Sequence, residues 1–263
     1  MMPLTDMLSE EGEHERRIRV IFDDGFEWTA AEPRFKKPLV ILAFTNRSGS
    51  NLLADYLRQS GRFRGFGEGL NADEIERNLA ANPDTTFPDY IARVAGAPEE
   101  PGYWGIKASW AQIALLKRAN ILSMFSRVLM VHTVRRDLLG QAVSHWIAHQ
   151  TNEWTSAHKR TGIEPRFDIG GIEGILMDIV RSNAAIDMIS QVLGIQRHVV
   201  VYEQLQDDPA REVRRLAAEL DVDLGDWMPH APRIARQRNE TNERFSALCR
   251  QRWRAALSGA RGA

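Results

Sequence analysis

The sequence predicts an α/β fold, a mainly parallel sheet flanked by helices, and three observations carry that expectation. The apolar runs around residues 39–44, 128–131 and 199–201 are continuous rather than alternating, as in strands buried on both faces. Stretches with apolar residues at helical spacing separate them. The length, 263 residues, suits one α/β domain or at most two small ones, and no internal repeat suggests another architecture.

Taken in order, residues 1–37 form a charge-rich lead-in, with an edge strand predicted at Ile18 to Phe22 and a turn at Asp24-Gly25. Pro33 and Pro38 bracket "RFKK" and set off the main domain, 38–257. A strand over 39–44 meets a short polar loop, then a helix over 50–60 that stops at Gly61, a suitable C′ glycine. Further strands are predicted at "YWGIK" (103–107), "RVLMVHTV" (127–134) and "HVVVYE" (198–203). Helices are predicted over 110–119, 138–150, 172–194, 209–220 and 241–257, with Pro209 at a favourable first-turn position. Residues 151–171 are polar and punctuated by Gly and Pro, which predicts a surface loop or lid, and 258–263 reads as a frayed tail.

Lys+Arg total 34 against Asp+Glu 35, so no global basic surplus points to nucleic acid. A single cysteine, Cys249, excludes an intrachain disulfide. The N-terminus lacks a charged-then-apolar signal pattern, and no apolar run approaches the ~20 residues that span a bilayer. A reducing, cytoplasmic setting is expected.

The first strand ends in Thr45-Asn46-Arg47-Ser48-Gly49-Ser50-Asn51. Strand, small-residue loop and helix N-terminus together can hold an anion on backbone amides. Gly49 permits close backbone approach, the amides of Ser48 to Asn51 are expected to face an oxyanion, and Arg47 can clamp it bidentately. A nucleotide P-loop needs Gly-x-x-x-x-Gly-Lys-Ser/Thr, and this loop lacks both the second glycine and the lysine. That favours a metal-free phosphate or sulfate site. Alternatively, Ser48 or Ser50 merely caps the helix.

A second constellation, "RRDLLGQAVSHW", follows the 127–134 strand. Arg135 and Arg136 stand at its carboxyl end, where α/β folds place ligands, and Ser144 lies two turns into the next helix. Either arginine with Ser144 can hold a second anionic group, and spacing does not choose between them.

Together these motifs resemble sulfotransferases: "FTNRSGSNLL" resembles their 5′-phosphosulfate loop and "RRDLLGQAVSHW" their 3′-phosphate motif. Arg47 to Ser50, Gly67-Glu68, Gly105-Ile106-Lys107, Gln141 to Trp146, Tyr202 to Pro209 and Arg236-Gln237 resemble the bacterial trehalose 2-sulfotransferase-like group over residues 38–257. The resemblance implies a P-loop-like sulfotransferase fold and 3′-phosphoadenosine-5′-phosphosulfate as sulfuryl donor, its product being the 3′,5′-bisphosphate. It further implies a hydroxyl acceptor on a carbohydrate or other small polar metabolite, no required metal, and a homodimer. Glu68 is implied as the base, although Gly69-Leu70-Asn71 departs from the group's usual "P-x-E" continuation. Lys107, at a strand end on the same edge, is expected to stabilise charge with Arg47; Arg236 and Gln237 are expected near the donor.

Other features carry less. His145 and His149 share a zinc-compatible spacing without a third ligand, and His132 reads as a core histidine. Of the tryptophans, only Trp154, in the predicted lid, suits sugar stacking, and "GFGEG" follows no convincing strand. The rival readings are a P-loop-type small-molecule kinase and a non-catalytic nucleotide-binding relative.

Overall fold

The computed structural model describes residues 4–98, 100–154, 161–233 and 240–259. Its elements are α1 (Leu4–Ser9), α2 (Glu13–Phe22), β1 (Leu39–Phe44), α3 (Ser50–Gln59), β2 (Phe63–Gly67), α4 (Ala72–Ala81), α5 (Phe87–Ala95) and β3 (Tyr103–Ala108). There follow α6 (Trp110–Arg118), β4 (Val128–Val134), α7 (Leu138–Thr151), α8 (Ile169–Val192), β5 (Arg197–Val201), α9 (Tyr202–Asp207), α10 (Pro209–Glu219) and α11 (Glu240–Leu257).

The five strands form one parallel sheet in the order β2-β3-β1-β4-β5. The continuous apolar run of β1 has a direct cause. Leu39, Ile41 and Ala43 enter one core with Ile106, Met130, Ile113 and Ile186, while Val40 and Leu42 enter the other with Leu53, Leu57, Val131 and Leu216. A strand packed on both faces has no polar side to alternate with. A third cluster, with Val143, Ile172, Phe245 and Cys249, ties α7, α8 and α11 together.

Because every strand points the same way, all five carboxyl ends share one edge of the sheet. The chain leaves β1 toward β2 and β3 on one side, then returns to β4 and β5 on the other. The loops leaving β1 and β4 therefore diverge, which opens the crevice where such sheets bind ligands.

Three expectations are corrected. The edge strand predicted at Ile18 to Phe22 is the end of helix α2. Alternation would bury Val20 with Ile18 and Phe22, yet Val20 is 83% exposed and the buried set is Glu15, Ile18 and Phe22, a helical spacing. The second concerns "FRGFG", which forms edge strand β2 beside β3. It reads poorly as a strand because Gly65 (φ +80) and Phe66 (φ 58) lie in the left-handed region and its register shifts between Gly65 and Gly67. The predicted 198–203 strand also ends early, at Val201, where α9 begins.

Candidate functional site

At the carboxyl edge lies a cavity of about 1450 Å³, lined by Arg47, Gly49, Ser50, Asn51, Glu68, Lys107, Arg135, Ser144, Trp154 and Tyr202, among others. One wall is the β1–α3 loop. Gly49 is the N-cap of α3 with φ +93, and no side chain caps that end. The alternative in which Ser48 or Ser50 is a helix cap is thereby overturned, and the first turn keeps its amides for another acceptor.

Ser48 departs from its expected role. Its amide donates to the Thr45 carbonyl (3.1 Å), and its hydroxyl bonds Thr133 Oγ1 (2.8 Å) in a fully buried position. It pins the loop to β4 and is not among the cavity's lining residues. Gln141, fully buried, secures the loop from α7 by donating to Thr45 Oγ1 (2.9 Å) and the Asn46 carbonyl (2.8 Å).

A Cβ placed on Gly49 would lie 2.3 Å from Tyr202 Cδ2. With the positive φ, Gly49→Ala is expected to cost about 1–3 kcal/mol of stability, read as a fall in midpoint of urea unfolding. An unchanged midpoint would mean the loop relaxes away from Tyr202.

Arg47 also takes a left-handed conformation (φ 64). Its Nε donates to Ser144 Oγ (3.0 Å) and its Nη1 to the Trp154 carbonyl. Ser144 thus sits with Arg47 rather than forming a separate grip with the arginines after β4. Arg135 Nη1 donates to the Arg47 carbonyl (3.3 Å), its guanidinium lies 4.6 Å from the Tyr202 ring centroid, and Glu203 is 3.9 Å from its Nε. Arg135 Nε is buried without a hydrogen-bond partner. Burial and the neighbouring Arg135 charge push the Arg47 pKa down, a strain on two adjacent cations that a bound anion relieves. Arg136 is exposed and absent from the cavity lining, and its amide donates to Glu203 Oε2 (3.1 Å). Arg135, not Arg136, therefore faces the site. Arg236 and Gln237 lie outside the described residues.

Next to this loop lies a carboxylate–ammonium pair. Lys107, the last residue but one of β3, is 2% exposed; its Nζ lies 2.6 Å from Glu68 Oε1, 2.7 Å from Asn51 Oδ1 and 4.5 Å from the Phe44 ring centroid. Asn71 Nδ2 donates to Glu68 Oε2 (3.1 Å), and Gln112 Nε2 to Asn71 Oδ1 (3.0 Å). Gln112 and Ser109 form the capping box of α6. A continuous chain of hydrogen bonds thus runs from the β1–α3 loop through Lys107 and Glu68 to a helix cap. The bulge in β2, ending at Gly67, is the device that brings Glu68 to Lys107. Burial pushes the Glu68 carboxyl up, but the Lys107 charge, its hydrogen bond and that of Asn71 outweigh it and hold the pKa below its usual 4.5. Burial pushes Lys107 below 10.5, with Glu68 opposing.

His145 is pushed down to about 4 by burial, then by the charges of His149 and Arg47, so it is neutral near pH 7. Its ring packs edge-on to Trp154 (5.6 Å). His132 is pushed to about 4 by burial and Arg197, and it bonds Asn183 (3.2 Å) and Arg197 (3.1 Å) within the core. Tyr202, Asn71, Gln112, Gln141 and His14 were not singled out individually as site residues in the sequence. Tyr202 and Gln141 stood inside recognisable motifs and Asn71 in the continuation of one; Gln112 and His14 reach the site through tertiary packing.

With this geometry in hand, comparison with known proteins gives a family-model match, Stf0 sulphotransferase, over residues 39–255. A trehalose 2-sulfotransferase of Mycobacterium tuberculosis is 30% identical over 163 residues, covering 46% of this chain and 60% of that relative. Another of that name from Mycolicibacterium smegmatis is 34% identical over 95 residues, covering 30% and 35%. The chain thus spans less than two thirds of either relative's length. A solved sulfotransferase from Alicyclobacillus acidocaldarius superposes with a TM-score of 0.47 at 16% identity, covering 87% of this chain and 96% of that one. Among the described residues no helix is long and apolar enough to cross a membrane, and no three His, Cys, Asp or Glu side chains cluster to hold a metal.

Proposed function

The chain belongs to the Stf0 sulphotransferase family, and on that premise we propose that it moves a sulfuryl group from 3′-phosphoadenosine-5′-phosphosulfate to a hydroxyl of a carbohydrate. The observation that carries this reading is the juxtaposition, in one cavity, of an uncapped glycine-started helix with a carboxylate–ammonium pair one hydrogen bond away through Asn51. The residues fit a doubly anionic donor. Gly49 leaves no side chain over the first turn of α3, and Arg135 Nε is a buried donor without a hydrogen-bond partner. The amides of Gly49 to Asn51 with Arg47 would hold the phosphosulfate end; Arg135 would hold the 3′-phosphate.

When bound, this donor supplies an activated sulfuryl group: its S–O bond to phosphate breaks as the acceptor oxygen bonds sulfur, the electron pair leaving on the phosphate. Glu68 takes the acceptor's proton. Two oxygens with about four lone-pair sites accept from Lys107 and Asn71 and still leave room for that proton. Lys107, held between Glu68 and the loop, places its charge where negative charge develops on the leaving side. The names of the curated relatives make trehalose the first acceptor to try.

The deciding experiment is a screen of sugar acceptors with isotopically labelled donor, read by mass. Stabilisation by ATP with Mg²⁺ but not by adenosine 3′,5′-bisphosphate would sink the proposal in favour of a kinase. In the same thermal-shift titration, Arg135→Ala is expected to weaken the bisphosphate about 10- to 100-fold, the worth of a charge-assisted hydrogen bond. Arg136→Ala should leave its affinity near wild type; the reverse pattern would reassign the contact.

A further inference from the structure

We propose that His14, on a helix outside the 39–255 segment that matches the family, positions the acceptor: its Nε2–H donates to an oxygen of a polyhydroxylated substrate whose neighbouring hydroxyl faces Glu68. This rests on the sulfuryl-transfer reading and deepens it by naming a specificity residue and an acceptor class.

Helix α2 holds its place firmly. Ile18 and Phe22 enter the main core, and buried Glu15, next to His14, accepts from Arg118 Nε (2.8 Å). Arg17 clamps α2 to α4 through Asp73 (2.6 Å) and Glu76 (2.9 Å). His14 Nδ1 accepts the backbone N–H of Ala72 (3.2 Å), the first residue of α4, whose N-cap Asn71 makes no side-chain cap. A ring nitrogen that accepts carries no proton, so the neutral tautomer has its hydrogen on Nε2. His14 lines the same cavity as Glu68. The residue before Ala72 is Asn71, which holds the Glu68 carboxylate. Contacts thus run from Asn51 to Lys107, Glu68 and Asn71, whose next residue, Ala72, donates to His14. With the donor on the loop, an acceptor at Glu68 occupies the cavity that His14 also lines. Asp73 and Arg77 line the cavity too, so this wall mixes hydrogen-bond donors and acceptors, the chemistry of a polyol rather than an apolar alcohol.

The bland account, that His14 only caps α4, makes different predictions, and two amide variants separate them. An Asn side chain places its oxygen where Nδ1 stands and nothing at Nε2; a Gln side chain reaches Nε2 and forsakes Nδ1. His14→Asn is expected to keep thermal stability and the affinity for adenosine 3′,5′-bisphosphate. Its KM for a turned-over acceptor should rise about tenfold with kcat nearly intact, the signature of lost uniform binding. His14→Gln is expected to lower stability yet keep KM within about threefold of wild type. The assay uses labelled 3′-phosphoadenosine-5′-phosphosulfate with a panel of mono- and disaccharides. A wild-type KM in His14→Asn overturns the role of His14 alone. If the wild-type protein sulfates no acceptor in the panel while still binding the bisphosphate, the transfer reading fails, and this inference falls with it.

Discussion

Glu68→Gln is expected to lower kcat by about 10²–10⁴-fold, the usual worth of a positioned general base, with donor affinity almost unchanged. The amide keeps the shape of the carboxylate but accepts no proton from the attacking hydroxyl. It also meets two donors, Lys107 Nζ at Oε1 and Asn71 Nδ2 at Oε2, so either amide orientation turns an NH₂ toward a donor. That conflict falls on a half-exposed side chain (47%), so the fold tolerates it. Steady-state rates with labelled donor, beside thermal shifts with adenosine 3′,5′-bisphosphate, separate chemistry from binding. A wild-type kcat would remove Glu68 from the mechanism. The pH profile supplies a second reading. Because Lys107 and Asn71 hold the Glu68 pKa below 4.5, the carboxylate stays ionised through mildly acidic pH. Activity should therefore hold as pH falls from neutrality and drop only through that depressed value, and Glu68→Gln should abolish this acidic limb. The sign for stability is the same: the contribution of the pair is present above 4.5 and is lost as pH falls through the lower folded value.

What could be read in the sequence divides along physical lines. Strand β1, its loop and α3 were legible because a strand buried on both faces is continuously apolar and the following helix shows its face within ten residues. Helix α2 was misread because five residues, Ile18 to Phe22, are too short to separate period 2 from period 3.6; the buried Glu15 that completes the helical face looks polar in sequence. Strand β2 was hidden by its own geometry, since its glycines and bulge erase the pattern of a strand. In the site, Arg47, Glu68 and Lys107 were recognisable from motifs. The choice between Arg135 and Arg136 was not, because it depends on which way the chain turns after Val134. The bond from Arg47 to Ser144, 97 positions apart, and the reach of His14 to Ala72, 58 apart, exist only once the helices pack.

Lys107→Met should show how the pair is wired. Methionine has similar length and suits a 2%-exposed site, so the fold should survive, but the ammonium vanishes from the midst of Asn51, Glu68 and Phe44. Two losses follow. Charge developing on the leaving side loses its stabiliser, which is expected to cost about 10²–10³-fold in kcat. The other loss falls on Glu68. Burial is the largest influence on its carboxyl and acts upward; the Lys107 charge and hydrogen bond are what reverse it. With them gone the Glu68 pKa must rise, so the acidic limb of the activity profile moves to higher pH, opposite to the effect expected if Lys107 only shaped the pocket. Raising the pH above the new limb restores an ionised base. The deficit that persists there belongs to the leaving-group role, whereas the part recovered belongs to the base. The two side chains act as one unit, so adding Glu68→Gln to Lys107→Met should cost far less than the product of the single losses. An acidic limb that stays put in Lys107→Met would show that the titrating base is a group other than Glu68.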